Sequence, residues 1–428
     1  MPAIRQVTDN AKNHNLDNND NFSPDGRFLC YDTREMVGPG IGNSQSIEMV
    51  EVATGAETVL FAPEKTLVAS DEGRAAPGVG AVSFNPSAME VAFIHGPPVD
   101  TVDVRGHYGK PNRQGARVPA DGSQQRNWLD HRDVATNRDT LPGAHRGGTH
   151  RHEYCRDGGR IGFTYDDFLM PQYGRTIGYM VPRDDAPGNA SHWFALLVPV
   201  APRDRAKPGD MVMAAGDSWV DAAGSVRAFI GTTREDDGAF SDALYTVTIP
   251  DAVDITTADA GGPERFPSPP AGVQVRRLTK SWASGIVRGS FDGTRIAYYG
   301  RDDNGVVQVY VVPAEGGDDH PDPAMRPVQA THLRTDVLTG LRWHPDNKRV
   351  CYIANNAVMT TCVDPGGTFG KTECLTPQGD GPERFNLVLS YDGTRLAYNQ
   401  AAPVYDHSGQ RRTTYQGEDF LQVFVIGM

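Results

Sequence analysis

From Asn21 to Arg34 the chain reads NFSPDGRFLCYDTR, in which apolar and polar residues alternate on either side of a turn built on Pro, Asp and Gly. Alternation with a period of two marks a strand with one buried face, and a P-D-G or D-G break joins two such strands antiparallel. The pattern recurs at 83–96 (SFNPSAMEVAFIHG), 154–167 (YCRDGGRIGFTYDD), 289–303 (GSFDGTRIAYYGRDD), 342–356 (RWHPDNKRVCYIANN) and 389–400 (LSYDGTRLAYNQ). The equivalent turn positions are Asp25, Ser87, Asp157, Asp292, Asp346 and Asp392, separated by 62, 70, 135, 54 and 46 residues. The longest gap is close to twice the others, so it hides a degenerate unit whose second strand is VRAFIGTTRED (226–236). Seven units of about 60 residues result.

The strings RQVTD (5–9), RRLTK (276–280), VQATH (328–332) and ECLTP (373–377) form a second, weaker repeat, each preceding a unit. No unit contains an amphipathic helical stretch of useful length. Repeats of this size with three or four strands each predict an all-β fold, a seven-bladed β-propeller with long loop insertions. The expectation is one propeller domain over residues 1–428, with insertions at about 99–149 and 183–224 and a Pro/Gly-rich connector at 254–273. The apolar segment FLQVFVI (420–426) is expected to pair into the blade that the N-terminus begins, closing the ring and removing open sheet edges.

Composition agrees. Gly (47) and Pro (31) make up about 18% of the 428 residues, against roughly 12% on average. Both are poor in helix interiors and serve turns. The formal charge of −13 argues against a nucleic-acid or anionic-membrane binder. No apolar run reaches the length of a membrane span, and MPAIRQVTDNAKNHN has no apolar leader region, so a cytoplasmic protein is expected. The five cysteines form no C-x-x-C pair and fit a reduced compartment.

The charge is unevenly distributed. Between Asp103 and His152 stand nine Lys or Arg against five Asp, and seven of the 12 histidines lie between His95 and His192. A basic, histidine-rich segment on an acidic body suits an anionic ligand, which arginine forks grip bidentately; the alternative is a solvated polar loop. In RGGTHRHE (146–153), His150 and His152 are two apart on an expected inner strand, so they share a face near the channel. Neutral imidazoles suit a divalent metal such as Mn, Fe, Ni or Zn. His192, read as opening the hidden fourth unit, is the expected third ligand, and His14 stands before the first inner strand. The competing reading is that such a pair only hydrogen-bonds the strand backbone. His344 is read as a turn residue, Cys155 as packed within its blade, and Asp166–Asp167 and Asp302–Asp303 as turn carboxylates. No nucleophile elbow, Walker loop or H-E-x-x-H helix occurs.

The order NHNLDN…FSPDG, FIHGP, RGGTHRHE…FTYDD, SHW, RRLT, RDD and WHPD resembles the YidR-like family of TolB-type bacterial propellers, which is functionally uncharacterised. The chain is more distantly similar to oligogalacturonate lyases, seven-bladed propellers that hold manganese through His and Gln side chains at the channel mouth. That likeness implies metal-assisted β-elimination on an anionic, uronate-containing oligosaccharide, with a metal and an arginine stabilising the enediolate. On that reading Arg146 or Arg113 grips the carboxylate, and His107 or Tyr108, in RGHYGKPNRQG, is the base. The absence of a complete catalytic motif keeps open a non-catalytic propeller that binds a glycan or a protein.

Overall fold

The computed structural model describes the whole chain except Met1, Met36 and Gly367, with Leu338 described by its backbone alone. Among the described residues, seven antiparallel blade sheets follow one another in chain order, with a separate two-stranded hairpin, Val404–Tyr405 and Arg411–Arg412. Blade 1 consists of an irregular inner segment, bridged at Asn15–Asp32 and Phe22–Leu29, and the strands Phe28–Asp32, Ile47–Glu51 and Glu57–Phe61. Blade 2 is Val79–Asn85, Ala88–His95, Gln114–Pro119 and Asn127–Trp128, and blade 3 is Gly148–Tyr154, Ile161–Asp166, Thr176–Pro182 and His192–Leu196. Blade 4 comprises Met211–Trp219, Val226–Arg234, Phe240–Thr248 and Gln274–Arg277. Blades 5, 6 and 7 begin with the inner strands Ala283–Gly289, Val337–Trp343 and Arg384–Leu389.

The expected ring closure is present. Ile4–Gln6 is the outermost strand of blade 7, antiparallel to Phe420–Gly427 with Ile4 opposite Ile426. Apolar clusters fill each space between neighbouring blades. Phe22, Leu29 and Tyr31 of blade 1 pack on Val388, Ala397 and Val423 of blade 7. Ile177 and Tyr179 of blade 3 pack with Phe229 and Tyr245 of blade 4. Each fully buried side chain of this kind contributes roughly 1.5–3 kcal/mol.

The repeated turn has a hydrogen-bonding logic. Ser23 Oγ donates to Asp25 Oδ1 (2.6 Å) and accepts from the Phe28 amide (2.9 Å), while Asp25 Oδ1 also takes the Arg27 amide. The same set recurs at Ser290–Asp292 and Ser390–Asp392. The residue after the aspartate has positive φ, which is why Gly26, Gly293 and Gly393 follow.

Two sequence expectations change. The hidden fourth blade exists, but it opens at Met211, and His192 lies on the outermost strand of blade 3. The stretch 99–149 contains the third and fourth strands of blade 2, so it is not one continuous loop.

A further regularity is invisible in the repeat. Six inner strands carry a bulge centred on a residue of positive φ: Ala81, Arg151, Gly216, Gly285, Gly340 and Asn386. In blade 3, Thr164 opposes His150 while Gly162 opposes Glu153, so one extra residue stands on the inner strand. A bulge of this kind reverses which face the following side chains occupy. Among the described residues the inner segment of blade 1 has no positive-φ residue.

Candidate active site in the central channel

The bulge separates the two histidines expected to act together. His150 precedes it and lines the channel with Arg151, Thr164 and Arg175. His152 follows it and is fully buried between blades 2 and 3, with Nε2 3.1 Å from Thr149 Oγ1 and packed against Gly115. The pair does not share a face. Alternation counted across Arg151 fails because that residue adopts φ 55°. His192 has Nδ1 2.8 Å from its neighbour Ser191 Oγ. His14 bridges the Leu421 carbonyl (3.1 Å) and Glu57 Oε1 (2.9 Å) and is tilted against the Tyr31 ring. Among the described residues no three His, Cys, Asp or Glu side chains converge to hold a metal ion. His150, His152, His192 and His14 therefore do not form the expected manganese site, and no step below runs through a metal.

The remaining expected residues are placed as follows. Arg146 is fully buried, with Nε 2.9 Å from Asp167 Oδ2 and Nη1 bonded to the Gly262 carbonyl. Locked in this pair, it has no free route to a substrate carboxylate. Tyr108 is buried against Ile41, Ala81 and Ile94, and its hydroxyl accepts from Arg113 Nη1 (3.0 Å). Burial pushes the Tyr108 phenol up, which disfavours it as a base. Arg113 is also buried, 3.8 Å from Asp166. His107 is half-buried in the loop that precedes them, where its carbonyl accepts from Asn112. Asp166 pairs with Arg175 (2.7 Å) and Asp167 with Arg146, so these are ion-paired carboxylates rather than simple turn residues.

The channel side chains missed by alternation lie four residues before the turn position, immediately after the bulges. They are Glu153 in blade 3, Arg288 in blade 5 and Arg342 in blade 6. Val287 and Leu341, one residue earlier, are buried in the cores between blades. The inner segment of blade 1 has no positive-φ residue among the described residues, and there Asp20, one residue closer to the N-terminus relative to its turn, faces the channel. At the end of the channel nearest the turns, Asp20, Glu153, Arg288, Arg342, Tyr391 and Ser218 line one cavity.

This cavity contains two carboxylates in unlike surroundings. Glu153 accepts from Asn19 Nδ2 (2.8 Å) and Ser218 Oγ (2.7 Å) and pairs with Arg227 (3.0 Å). Asp20 takes a long bond from Asn19 Nδ2 (3.5 Å) and pairs closely with no arginine among the described residues. Burial, and then the Glu153 charge, push its carboxyl up to about 7. The buried Tyr391 hydroxyl stands beside Asp20 without an ordinary hydrogen-bond partner. Among the described residues, Arg288 donates only to the Leu341 and Val287 carbonyls, and Arg342 only to the Leu341 and Asn18 carbonyls. Arg342 Nε has no partner. Two guanidinium groups without carboxylate partners, on adjacent blades, face a carboxylate that is half-protonated near neutrality.

The segment Asp17–Asp20 holds this wall in place from blade 1. Asn18 Nδ2 donates to the Ala81 carbonyl (2.8 Å), and Asp17 takes Arg34 (2.7 Å) and Arg151 (2.6 Å). Trp219 and Trp343 donate from Nε1 to the carbonyls of Glu153 and Arg288, fixing the backbones that carry those side chains (3.0 and 2.8 Å).

Known proteins agree with the motif order. A curated relative from Escherichia coli (strain K12), the uncharacterised protein YidR, is 29% identical over 94% of this chain and 96% of its own length. The chain is similar to this relative along nearly its whole length. Residues 78–191 match a family model described as a protein of unknown function, DUF3748. A solved TolB from Agrobacterium tumefaciens is 14% identical, with a TM-score of 0.36 over 65% of this chain and 90% of its own. An oligogalacturonate lyase in complex with manganese is 11% identical, with a TM-score of 0.38 over 85% and 97%. A puromycin-hydrolysing peptidase of Mycobacterium tuberculosis is 13% identical with a TM-score of 0.48 over 87% of this chain, which spans 47% of the peptidase. The blade count and the site rest on this chain's own sheets. Among the described residues no helix is long and apolar enough to cross a membrane.

Proposed function

We propose that the turn-side end of the channel binds a carboxylate-bearing carbohydrate and catalyses β-elimination at the carbon next to that carboxylate. The observation that carries this reading is the placement of Arg288 and Arg342, free of carboxylate partners, in one cavity with Asp20 and Tyr391. Two arginine forks neutralise a uronate carboxylate and stabilise the enediolate that forms when the adjacent C–H loses its proton. Ionised Asp20 takes that proton, and a carboxyl balanced near 7 is well matched to such a role at neutral pH. Burial and the nearby Asp20 charge keep the Tyr391 phenol protonated, so it can donate to the departing glycosidic oxygen as the C4–C5 double bond forms. Glu153, fastened to Asn19, Ser218 and Arg227, supplies the second charge that raises Asp20.

The test is incubation with galacturonan, glucuronan and alginate oligomers, read as ultraviolet absorbance from an unsaturated uronate end. Wild type is expected to produce it and Asp20→Asn to lose it. No product with any of the three, while binding persists, leaves the non-catalytic glycan-binding reading in place. The cross-channel bond from Arg342 to Asn18, which partly closes the cavity, favours that second reading.

A further inference from the structure

Beyond Glu153 and Arg288, toward the end where the inner strands begin, the channel widens into a second chamber lined by His150, Arg151, Thr164, Arg175, Gly216 and Ile286. Its cations are only partly used. Arg175 spends Nε and Nη2 on Asp166 (2.7 Å for the closer), and Arg151 spends Nη2 on Asp17 (2.6 Å), leaving the other donors of each fork uncommitted. Asp217, the other carboxylate lining this chamber, is bound to Arg227 Nε at 2.6 Å. The imidazole of His150 stands among these cations. Burial, and then Arg113, Arg151 and Arg175, keep it well below its ordinary value, so it enters as a neutral hydrogen-bonding group. Arg288 and Glu153 line both chambers, so the two spaces meet at these side chains.

We infer that this chamber is a second anion subsite, built from Arg151, Arg175 and His150, which takes the charged group of the neighbouring residue of an acidic oligosaccharide. The preferred ligand is then at least dianionic, with one carboxylate on Arg288 and Arg342 and the next in the His150 chamber. The oligosaccharide half of this statement rests on the function proposed above; the anion subsite itself does not.

Inorganic sulfate is the probe, titrated calorimetrically against chloride of equal ionic strength. Wild type is expected to bind it saturably. Ile286→Glu places a carboxylate in the chamber without removing any existing bond, and is expected to weaken sulfate by about tenfold or more. Arg175→Gln should weaken it in the same direction, and Lys280→Gln, an exposed charge outside both chambers, should leave it unchanged. Thermal melts of each variant establish that the fold is retained. Digalacturonate should bind wild type more tightly than galacturonate, and Ile286→Glu should erase that difference. Sulfate binding no stronger than chloride, or insensitive to Ile286→Glu, overturns the subsite. Sulfate binding that responds to Ile286→Glu, with no uronate bound by any form, upholds the subsite and overturns the oligosaccharide reading instead.

Discussion

Arg342 Nη2 of blade 6 donates to the main-chain carbonyl of Asn18 in blade 1, 3.1 Å away, across the channel and past blade 7. Neither residue sits on a neighbouring sheet of the other, so the bond ties the ring through its centre while holding one fork at the turn-side cavity. Asn18 in turn bonds the Ala81 carbonyl of blade 2. An asparagine-rich inner segment with irregular pairing is suited to this work, because its amides reach carbonyls that a regular strand leaves to the channel.

Arg342→Gln should therefore separate binding from stability. A neutral amide can keep a hydrogen bond to Asn18 but cannot neutralise a carboxylate. Losing a charge-assisted bond of about 1.5–3 kcal/mol corresponds to a loss of uronate affinity of roughly ten- to a hundredfold. The cost in urea denaturation should stay below about 1 kcal/mol, since burial and Arg288 already disfavour the charge. Calorimetric titration with digalacturonate beside urea melts measures both. Equal losses in the two would mark Arg342 as a structural tie alone.

The Asp20 carboxyl gives a signed pH dependence. Its folded value of about 7 lies above the ordinary 3.8, so the unfolded chain loses this proton first. The stability it contributes is present below about pH 4 and is lost as pH rises toward 7, a change of about 2–4 kcal/mol. Asp20→Asn should flatten that part of the stability curve. Elimination should run the other way in wild type, rising with pH through about 7 as the base ionises. In Asp20→Asn, kcat should fall by about 100-fold or more with little change in KM. A pH–rate profile that keeps its lower limb in Asp20→Asn would remove Asp20 from the base role.

The blade count, the ring closure and six of the turns were legible because each rests on local chemistry: a polar turn, Ser, Asp and Gly at fixed offsets in three of them, and a period of two on either side. The channel face was legible only as far as the first bulge. Counting by twos put His150 and His152 together, whereas one extra residue at Arg151 turns the count over. Gly285 and Gly340 carried a signal, since an isolated glycine inside a strand pattern marks a bulge. Arg151 and Ala81 did not, because neither residue type announces positive φ. The basic segment 103–152 also misled by averaging. Arg146 is spent on a buried carboxylate, while Arg288 and Arg342, outside that segment, reach the cavity.

Arg146 and Asp167, both without solvent exposure and 2.9 Å apart, should behave as a structural pair. Arg146→Met or Asp167→Asn alone leaves a buried charge without its partner and should cost about 3–5 kcal/mol in urea denaturation. Sulfate and uronate affinity of the folded fraction should not change. Loss of ligand affinity at full stability would return Arg146 to the binding site.

The two histidines of the T-H-R-H-E strand should differ in what their substitution costs. His152 is buried, and burial, opposed by the Asp130 charge and reinforced by Arg113 and His145, lowers it to about 4. His192 is likewise near 4 and His95 near 3, each lowered first by burial. For each, the unfolded chain takes up a proton as pH drops below about 6.5 while the folded chain does not. Stability is therefore lost between pH 6.5 and about 4, by about 2–3 kcal/mol for His152. His152→Gln should remove part of this acid slope and cost about 1–3 kcal/mol at pH 7 from imperfect packing and bonding. His150→Gln, facing the channel, should leave the pH 7 melting temperature within about 2 °C. Melting curves from pH 4 to 8 decide the matter. Parallel effects of the two substitutions, or a gain in melting temperature with manganese that both abolish, would restore the shared face that the bulge at Arg151 denies.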